Sequence, residues 1–184
     1  NVTPVFGFSA AVNDTSMQFE AVSSSSLGQS YIYELSPLAN GRFNILRRSD
    51  GSGNNSNNTG FFLYFKQGTL GTTTFSLVEA VPNRIVNVNY ENINNSDVWL
   101  FNTGVSPSEE WKKVPAIAGV NTIYNKSSDR NLFQVNSRAA DQIDLVFGDG
   151  SFTNVPQGTF SLFFRQSNNQ SYKISPDEIQ GAAI

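Results

Sequence analysis

The sequence has no cysteine and no histidine among its 184 residues. Disulfides, thiolate nucleophiles, imidazole bases and His/Cys metal shells are therefore excluded within the chain. Charge is scarce too: Asp, Glu, Lys and Arg make up 15% of the residues, against the ~25% of an ordinary domain. Twelve basic and fifteen acidic residues leave a formal net charge of −3 and a pI near 4.9. That balance offers no surface to track phosphates and argues against nucleic acid as a partner. No apolar run approaches the ~20 residues of a membrane-spanning helix, so no membrane partner is expected. The lack of Cys fits cytosol, virion and bacterial surface alike. Asn and Ser fill the gap, at roughly a quarter of the chain where average usage is far lower. Aromatic residues reach 12%, fifteen of them Phe, which argues against disorder.

The sequence begins at Asn1 and its one Met is Met17. Near its end, Ser175-Pro176-Asp177-Glu178 reads as a helix start, with a capping hydroxyl, Pro at the first helical position and acidic residues behind it. Together these features lead to the expectation of a piece of a longer protein, with residues 176–184 the start of a truncated helix or a linker.

Between those ends the pattern is that of short strands. Residues 1–50 read as an N-terminal β segment or small subdomain. The stretch around Met17, Phe19 and Ala21 alternates like a strand, although Asn13 is equally placed to cap a short helix. Tyr31-Ile32-Tyr33 and Phe43-Asn44-Ile45 read as strands. Leu35-Ser36-Pro37 reads as a separator, and Asn40-Gly41 is a hairpin-turn signal because both residues tolerate positive φ. Residues 50–60 are a polar low-complexity loop, expected to be exposed and mobile. Residues 60–175 then read as one β domain. Its expected strands are 61–66, 72–78, 84–90, 97–101, 111–114, 121–124, 132–136, 142–147 and 159–165. Pro82-Asn83 turns the chain between two of these, and Gly148-Asp149-Gly150 reads as a tight reversal between the last two. Phe160, Leu162 and Phe164 share one face of the final strand, with Ser161, Phe163 and Arg165 on the other. Lys66-Gln67-Gly68-Thr69-Leu70 echoes Pro156-Gln157-Gly158-Thr159-Phe160, too briefly to make a repeat. The fold class expected is mainly β, an antiparallel sandwich or barrel-like arrangement with at most one or two short helices.

No catalytic, cofactor or metal residue stands out. Glu109 and Glu110 are neighbours; on a strand they point to opposite faces, and after Ser106-Pro107 they read as an acidic helix start. A glycosidase needs two carboxyl groups converging ~5–10 Å apart. Asp141, Asp144 and Asp149 have the hard oxygen ligands that calcium takes, but at a spacing that fits no EF-hand loop; Asp149-Gly150 reads better as a turn. Trp99 and Trp111 are candidates for a sugar-stacking platform, yet each lies in an alternating pattern where a large aromatic is usually core. The Asn-X-Ser/Thr sequons at Asn13, Asn54, Asn57, Asn94 and Asn125 arise easily in such a composition and decide nothing. Gly148-Asp149-Gly150 leads into Ser151-Phe152-Thr153 and not into a helix, so no phosphate cradle is expected.

The run from Trp111-Lys-Lys-Val114 through Asn121-Thr-Ile-Tyr124, Leu132-Phe-Gln-Val135, Phe147-Gly148-Asp149-Gly150, Pro156-Gln-Gly158 and Phe163-Phe164-Arg165 resembles the baseplate J and wedge-subunit proteins of contractile-tailed bacteriophages. In that family a Trp-x-x-Val strand precedes a Phe-Gly-Asp-Gly hairpin, a Pro-x-Gly turn and a strand ending in Tyr-Arg, which Phe164-Arg165 replaces here. The segment carrying Trp99 is similar to the one preceding that Trp in wedge subunits. The resemblance spans about residues 60–180. It implies a non-enzymatic structural module of the virion tail, made in the bacterial host cytoplasm. Its implied partners are other baseplate and tail proteins, and self-association in the full-length chain is compatible with it. The alternative is a carbohydrate-binding or adhesin-type β-sandwich of a bacterial surface or tail-fibre protein, for which an exposed Trp99 or Trp111 beside Asn and Asp would be the signature.

Overall fold

Alternating β-branched and aromatic residues favour pleated, half-buried strands, and strands dominate the computed structural model of the chain. It describes residues 4, 6–12, 15–22, 33–37, 43–47, 64–117 and 129–167. The expected loop at 50–60, the strand at 121–124, the Asn40-Gly41 turn, the Asn13 cap and the C-terminal helix start lie outside the described residues. Contacts group the chain into two units, Asn1–Thr69 with Ser167–Ile184, and Leu70–Gln166.

The first unit holds β1 (Phe6–Val12), β2 (Thr15–Val22), β3 (Tyr33–Pro37), β4 (Phe43–Arg47) and β5 (Tyr64–Gln67). Strands β1, β2 and β5 form an antiparallel sheet with β2 at its centre. The strand alternative for Met17 to Ala21 is thus the observed one. Register places Phe8 opposite Phe19 and Ala10 opposite Met17. The Phe8 ring stacks on Phe19 at 5.5 Å and meets Phe65 edge-on at 5.0 Å. Strands β3 and β4 pair as an antiparallel ribbon. Leu35, Ser36 and Pro37 lie inside β3, which corrects their reading as a separator; Pro37 ends the strand, where a missing N–H is tolerated.

The second unit is a seven-stranded sheet in the order β6-β12-β8-β9-β10-β11-β7. Its strands are β6 (Thr69–Leu77), β7 (Ile85–Val88), β8 (Ile93–Asn102), β9 (Glu109–Lys113), β10 (Leu132–Ser137), β11 (Ile143–Phe147) and β12 (Gly158–Gln166). One 3-10 turn, Ala139–Asp141, joins β10 to β11. The first and last strands of this order, β6 and β7, contribute Leu77 and Val88 to the same buried cluster as Leu100, Phe133, Leu145 and Leu162. A flat sheet cannot bring its two edges to one core, so the sheet is curled into a half-barrel. The protein is mainly β, with a barrel-like sheet. Pairing is antiparallel except between β9 and β10, which run parallel with Leu132 opposite Lys112; a parallel neighbour needs a crossover connection, here residues 114–131.

The inner faces follow the alternation expected. Ile143, Leu145 and Phe147 of β11 and Phe160, Leu162 and Phe164 of β12 are buried. Trp111 is the inward residue of β9, meeting Phe147 at 5.4 Å and Phe160 at 5.6 Å, both edge-on. Burying side chains of this size stabilises by ~1.5–3 kcal/mol each before conformational entropy is counted. Trp99 takes the other face of β8. It is half-buried opposite Phe163, with the Arg165 guanidinium 5.9 Å from its ring centroid, so the core reading holds for Trp111 and not for Trp99.

Strands β11 and β12 are not neighbours. Gly148-Asp149-Gly150 therefore opens a connection across the half-barrel, residues 148–157, and does not close a hairpin. The pattern of two alternating strands around a glycine turn suits a hairpin, but each strand pairs elsewhere: β11 with β10 and β7, β12 with β8 and β6. Pro82-Asn83 does turn the chain, with Asn83 at φ +55°. The sequence echo has a local counterpart. Gly68 and Gly158 have φ of +111° and +118°, and each sits at the start of a nine-residue strand, β6 or β12.

Candidate functional site

Three connections, 78–84, 103–108 and 148–157, emerge at one end of the half-barrel, because β6, β8 and β11 all finish there. The chain enters at β6 and leaves after β12 at the opposite end. Apolar side chains are conspicuous at the loop end: Val78 is 83% exposed, Phe152 76%, Ile85 55% and Val105 42%. Several exposed apolar side chains at one end of a domain make that end the candidate contact surface.

The loops that carry them are pinned. Asn102, the buried last residue of β8, donates from its amide nitrogen to the Gln157 carbonyl at 3.2 Å and accepts the Gly104 N–H at 3.1 Å. One side chain thereby joins two loops. A methyl on Gly158 would stand 3.0 Å from that amide oxygen. Thr103 and Gly104 both donate backbone N–H groups to the Thr159 carbonyl. Gln157 donates to the Val78 carbonyl at 3.1 Å, and the Asn83 N–H reaches the Gly148 carbonyl at 2.9 Å. Gly148 is needed for close approach: a methyl there would overlap the buried Thr153 hydroxyl. That hydroxyl and the Trp111 indole N–H are buried without a hydrogen-bond partner among the described residues. Asp149 accepts the Ser151 N–H at 2.8 Å, and this bond holds its carboxyl below the ordinary carboxylate range. Pro156 is buried, so the Pro-x-Gly turn anchors the loop and is not its exposed tip.

Beside the loop end, on the outward face of β9, lies a cleft of about 200 Å³ bordered by Glu110, Lys112, Asp129, Arg130, Asn131 and Asn154. Glu110 and Lys112 point outward because Trp111 between them points inward. Lys112 bridges to Asp129 at 2.7 Å, and that partner raises its pKa above the ordinary lysine value. Arg130 holds the carbonyls of Gly150 and Ser151 at 3.0 and 3.1 Å, while its own carbonyl accepts the Asn154 N–H at 2.7 Å. Asn154 donates to Asn131, and Asn131 to Glu109. Glu109 and Glu110 thus lie on a strand, which settles the helix-start alternative; Ser106-Pro107, a cis peptide, precedes that strand.

The expected motif residues divide. Phe147, Gly148, Asp149, Gly150, Pro156 and Gly158 all belong to one loop and its anchors. Trp111 lies beneath in the core. Trp99 and Arg165 lie on the other face of β8 and β12, where Arg165 pairs with Asp97 at 2.9 Å, their side chains 1% and 2% exposed. Asp141 and Asp144 lie at the opposite end from Asp149; Asp144 accepts from Asn87 at 2.7 Å and sits 3.5 Å from Arg138. No acidic or metal-ligating trio converges among the described residues. Asn102, Arg130 and Asn131 carried no signal in the sequence; their importance comes from the elements they join.

A family model for a domain of unknown function, DUF8360, matches residues 1–184. The chain belongs to the DUF8360 family. No curated protein and no solved structure matches it. For this DUF8360 chain the functional reading rests on the loop end and the cleft.

Proposed function

We propose that this DUF8360 chain is a non-enzymatic assembly module of a phage tail baseplate wedge, and that it grips neighbouring baseplate subunits through the loop end of its half-barrel. The observation that carries the reading is the set of exposed apolar side chains, Val78, Val105 and Phe152 on loops held in place by Asn102, Arg130 and Gly148, with Ile85 at the start of β7 beside them. A pinned loop loses little conformational entropy when a partner covers it. The Phe147-Gly148-Asp149-Gly150 and Pro156-x-Gly158 pattern that resembles wedge subunits supplies the two ends of the longest of these loops. An Asn- and Ser-rich surface around apolar points suits contacts built of many short neutral hydrogen bonds.

The carbohydrate-binding alternative draws no support from the tryptophans first considered for it, since Trp111 is core and Trp99 is half-buried opposite Phe163. The neighbour-binding reading is tested with the double variant Ile85→Asp, Val105→Asp in the virus that encodes the chain. The expected result is an unchanged far-UV spectrum and melting temperature for the purified variant, with incorporation into tails reduced at least about tenfold. Incorporation at the wild-type level, or absence of the wild-type chain from purified tails, overturns it.

A further inference from the structure

The cleft on the outward face of β9 adjoins the loop end and shares residues 150–154 of its longest loop. We propose that it binds a neutral carbohydrate, one sugar ring at a time, in addition to whatever the loop end contacts. Its charges cancel: Lys112 and Arg130 against Glu110 and Asp129, with the amides of Asn131 and Asn154 between them. An anion entering meets two carboxylates and a cation meets an ammonium and a guanidinium. A ligand whose groups donate and accept from the same atom meets a partner at every wall, and a ring bearing several hydroxyls is that ligand.

Bonding capacity remains after the internal bonds are made. The Glu110 carboxylate accepts no hydrogen bond and makes no close ion pair among the described residues, so both its oxygens are open acceptors, although its charge is felt by Lys112. Asn154 gives one side-chain N–H to Asn131 and its backbone N–H to the Arg130 carbonyl, and keeps its other side-chain N–H and its side-chain carbonyl. Arg130 uses one terminal nitrogen on the Gly150 and Ser151 carbonyls and keeps its other N–H groups. Lys112 gives one hydrogen to Asp129 and keeps two. These groups are preorganised, because Arg130, Asn131 and Asn154 are bonded to one another's segments, and rigid walls reduce the entropy lost on binding. At about 200 Å³ the cleft is smaller than the ~300–1,000 Å³ of sites for drug-sized ligands, which suits one ring with the rest of a glycan outside. Phe152, the most exposed aromatic residue described, is one residue past Ser151 and two before Asn154. It brings an apolar surface to the same loop, as the C–H face of a sugar requires.

The site shares the 148–157 loop with the neighbour-binding surface, but its test changes different residues. The 184-residue chain is applied to a printed array of neutral, sialylated and sulfated glycans, and hits are titrated by amide NMR with the corresponding free oligosaccharide. The expected result is binding to neutral glycans, with saturable shifts confined to residues 109–112, 129–131 and 151–154. Glu110→Ala and Asn154→Ala, both exposed positions, should each weaken it at least about tenfold without moving the melting temperature, whereas Ile85→Asp with Val105→Asp leaves it intact. No binding to any neutral glycan, binding confined to sialylated or sulfated glycans, or affinity unchanged in both cleft variants overturns the proposal. If these outcomes fail while Ile85→Asp with Val105→Asp still lowers tail incorporation, the assembly reading stands, and the reverse holds equally.

Discussion

The two ends of the half-barrel are built differently from the same residue types. At the end where the chain enters and leaves, the connections 89–92 and 138–142 are short and their polar groups are paired. Arg138 bonds Asn89 at 2.9 Å, Asn87 bonds Asp144, Asn95 bonds Ser137, and Lys113 caps the carbonyls of Asn95 and Ser96. Tyr90, the exposed aromatic residue of that end, lies 4.9 Å from the Phe164 ring. At the other end the polar groups are spent beneath the surface, on holding loops, and the apolar side chains stand above them. The difference separates an end whose polar side chains are paired with one another from an end whose apolar side chains stand exposed.

Substitutions at the two ends should therefore differ in cost. The largest effect belongs to the framework both ends share. Asp97→Ala would remove the carboxylate that lies 2.9 Å from the buried Arg165 guanidinium, a loss of about 3–5 kcal/mol read by urea unfolding. Gly148→Ala strikes the loop end alone by forcing Thr153 aside, with an expected loss of about 1–3 kcal/mol. Asn102→Ala should cost about 1–2 kcal/mol and, more tellingly, speed amide exchange at Gly104 and Thr159 while leaving Asn92 unchanged. Arg138→Ala, at the opposite end, removes a partly exposed pair and should move stability by no more than about 1 kcal/mol. If Arg138→Ala proves as costly as Asn102→Ala, the contrast between the ends fails.

The smallest effect is a pH dependence. The Asp149 carboxyl titrates lower folded than unfolded because it accepts the Ser151 N–H, so its contribution is present above the ordinary carboxylate pKa and fades as pH falls through the lower folded value. The Ser151 amide resonance should shift across that acid window in the wild type and hold still in Asp149→Asn.

Much of the half-barrel was legible in the sequence because burial on one face imposes a period of two. Val86 and Val88, Ile143 to Phe147 and Phe160 to Phe164 show it openly. The start of β8 did not. Ile93-Asn94-Asn95-Ser96 alternates nothing, and it is a strand because Ile93 pairs with Gln166 beyond an irregularity in the β8–β12 register. The glycine reversal was misread because local turn chemistry says where a chain bends and nothing about which strand it meets next. The cleft was illegible for a related reason. Glu110, Asp129 and Asn154 come together only through the parallel crossover from β9 to β10, a long-range choice that no spacing encodes. Trp111 was readable as core; Asn102 was one Asn among many until two loops were seen to share it.

The proposed assembly role requires the loop end to be covered in the tail and the opposite end to stay open. Hydrogen–deuterium exchange on the free chain and on purified tail particles measures this directly. The account predicts slowed exchange on assembly at 78–84, 103–108 and 148–157, with 89–92 and 138–142 unchanged. Equal protection at both ends, or protection confined to 89–92 and 138–142, would contradict it.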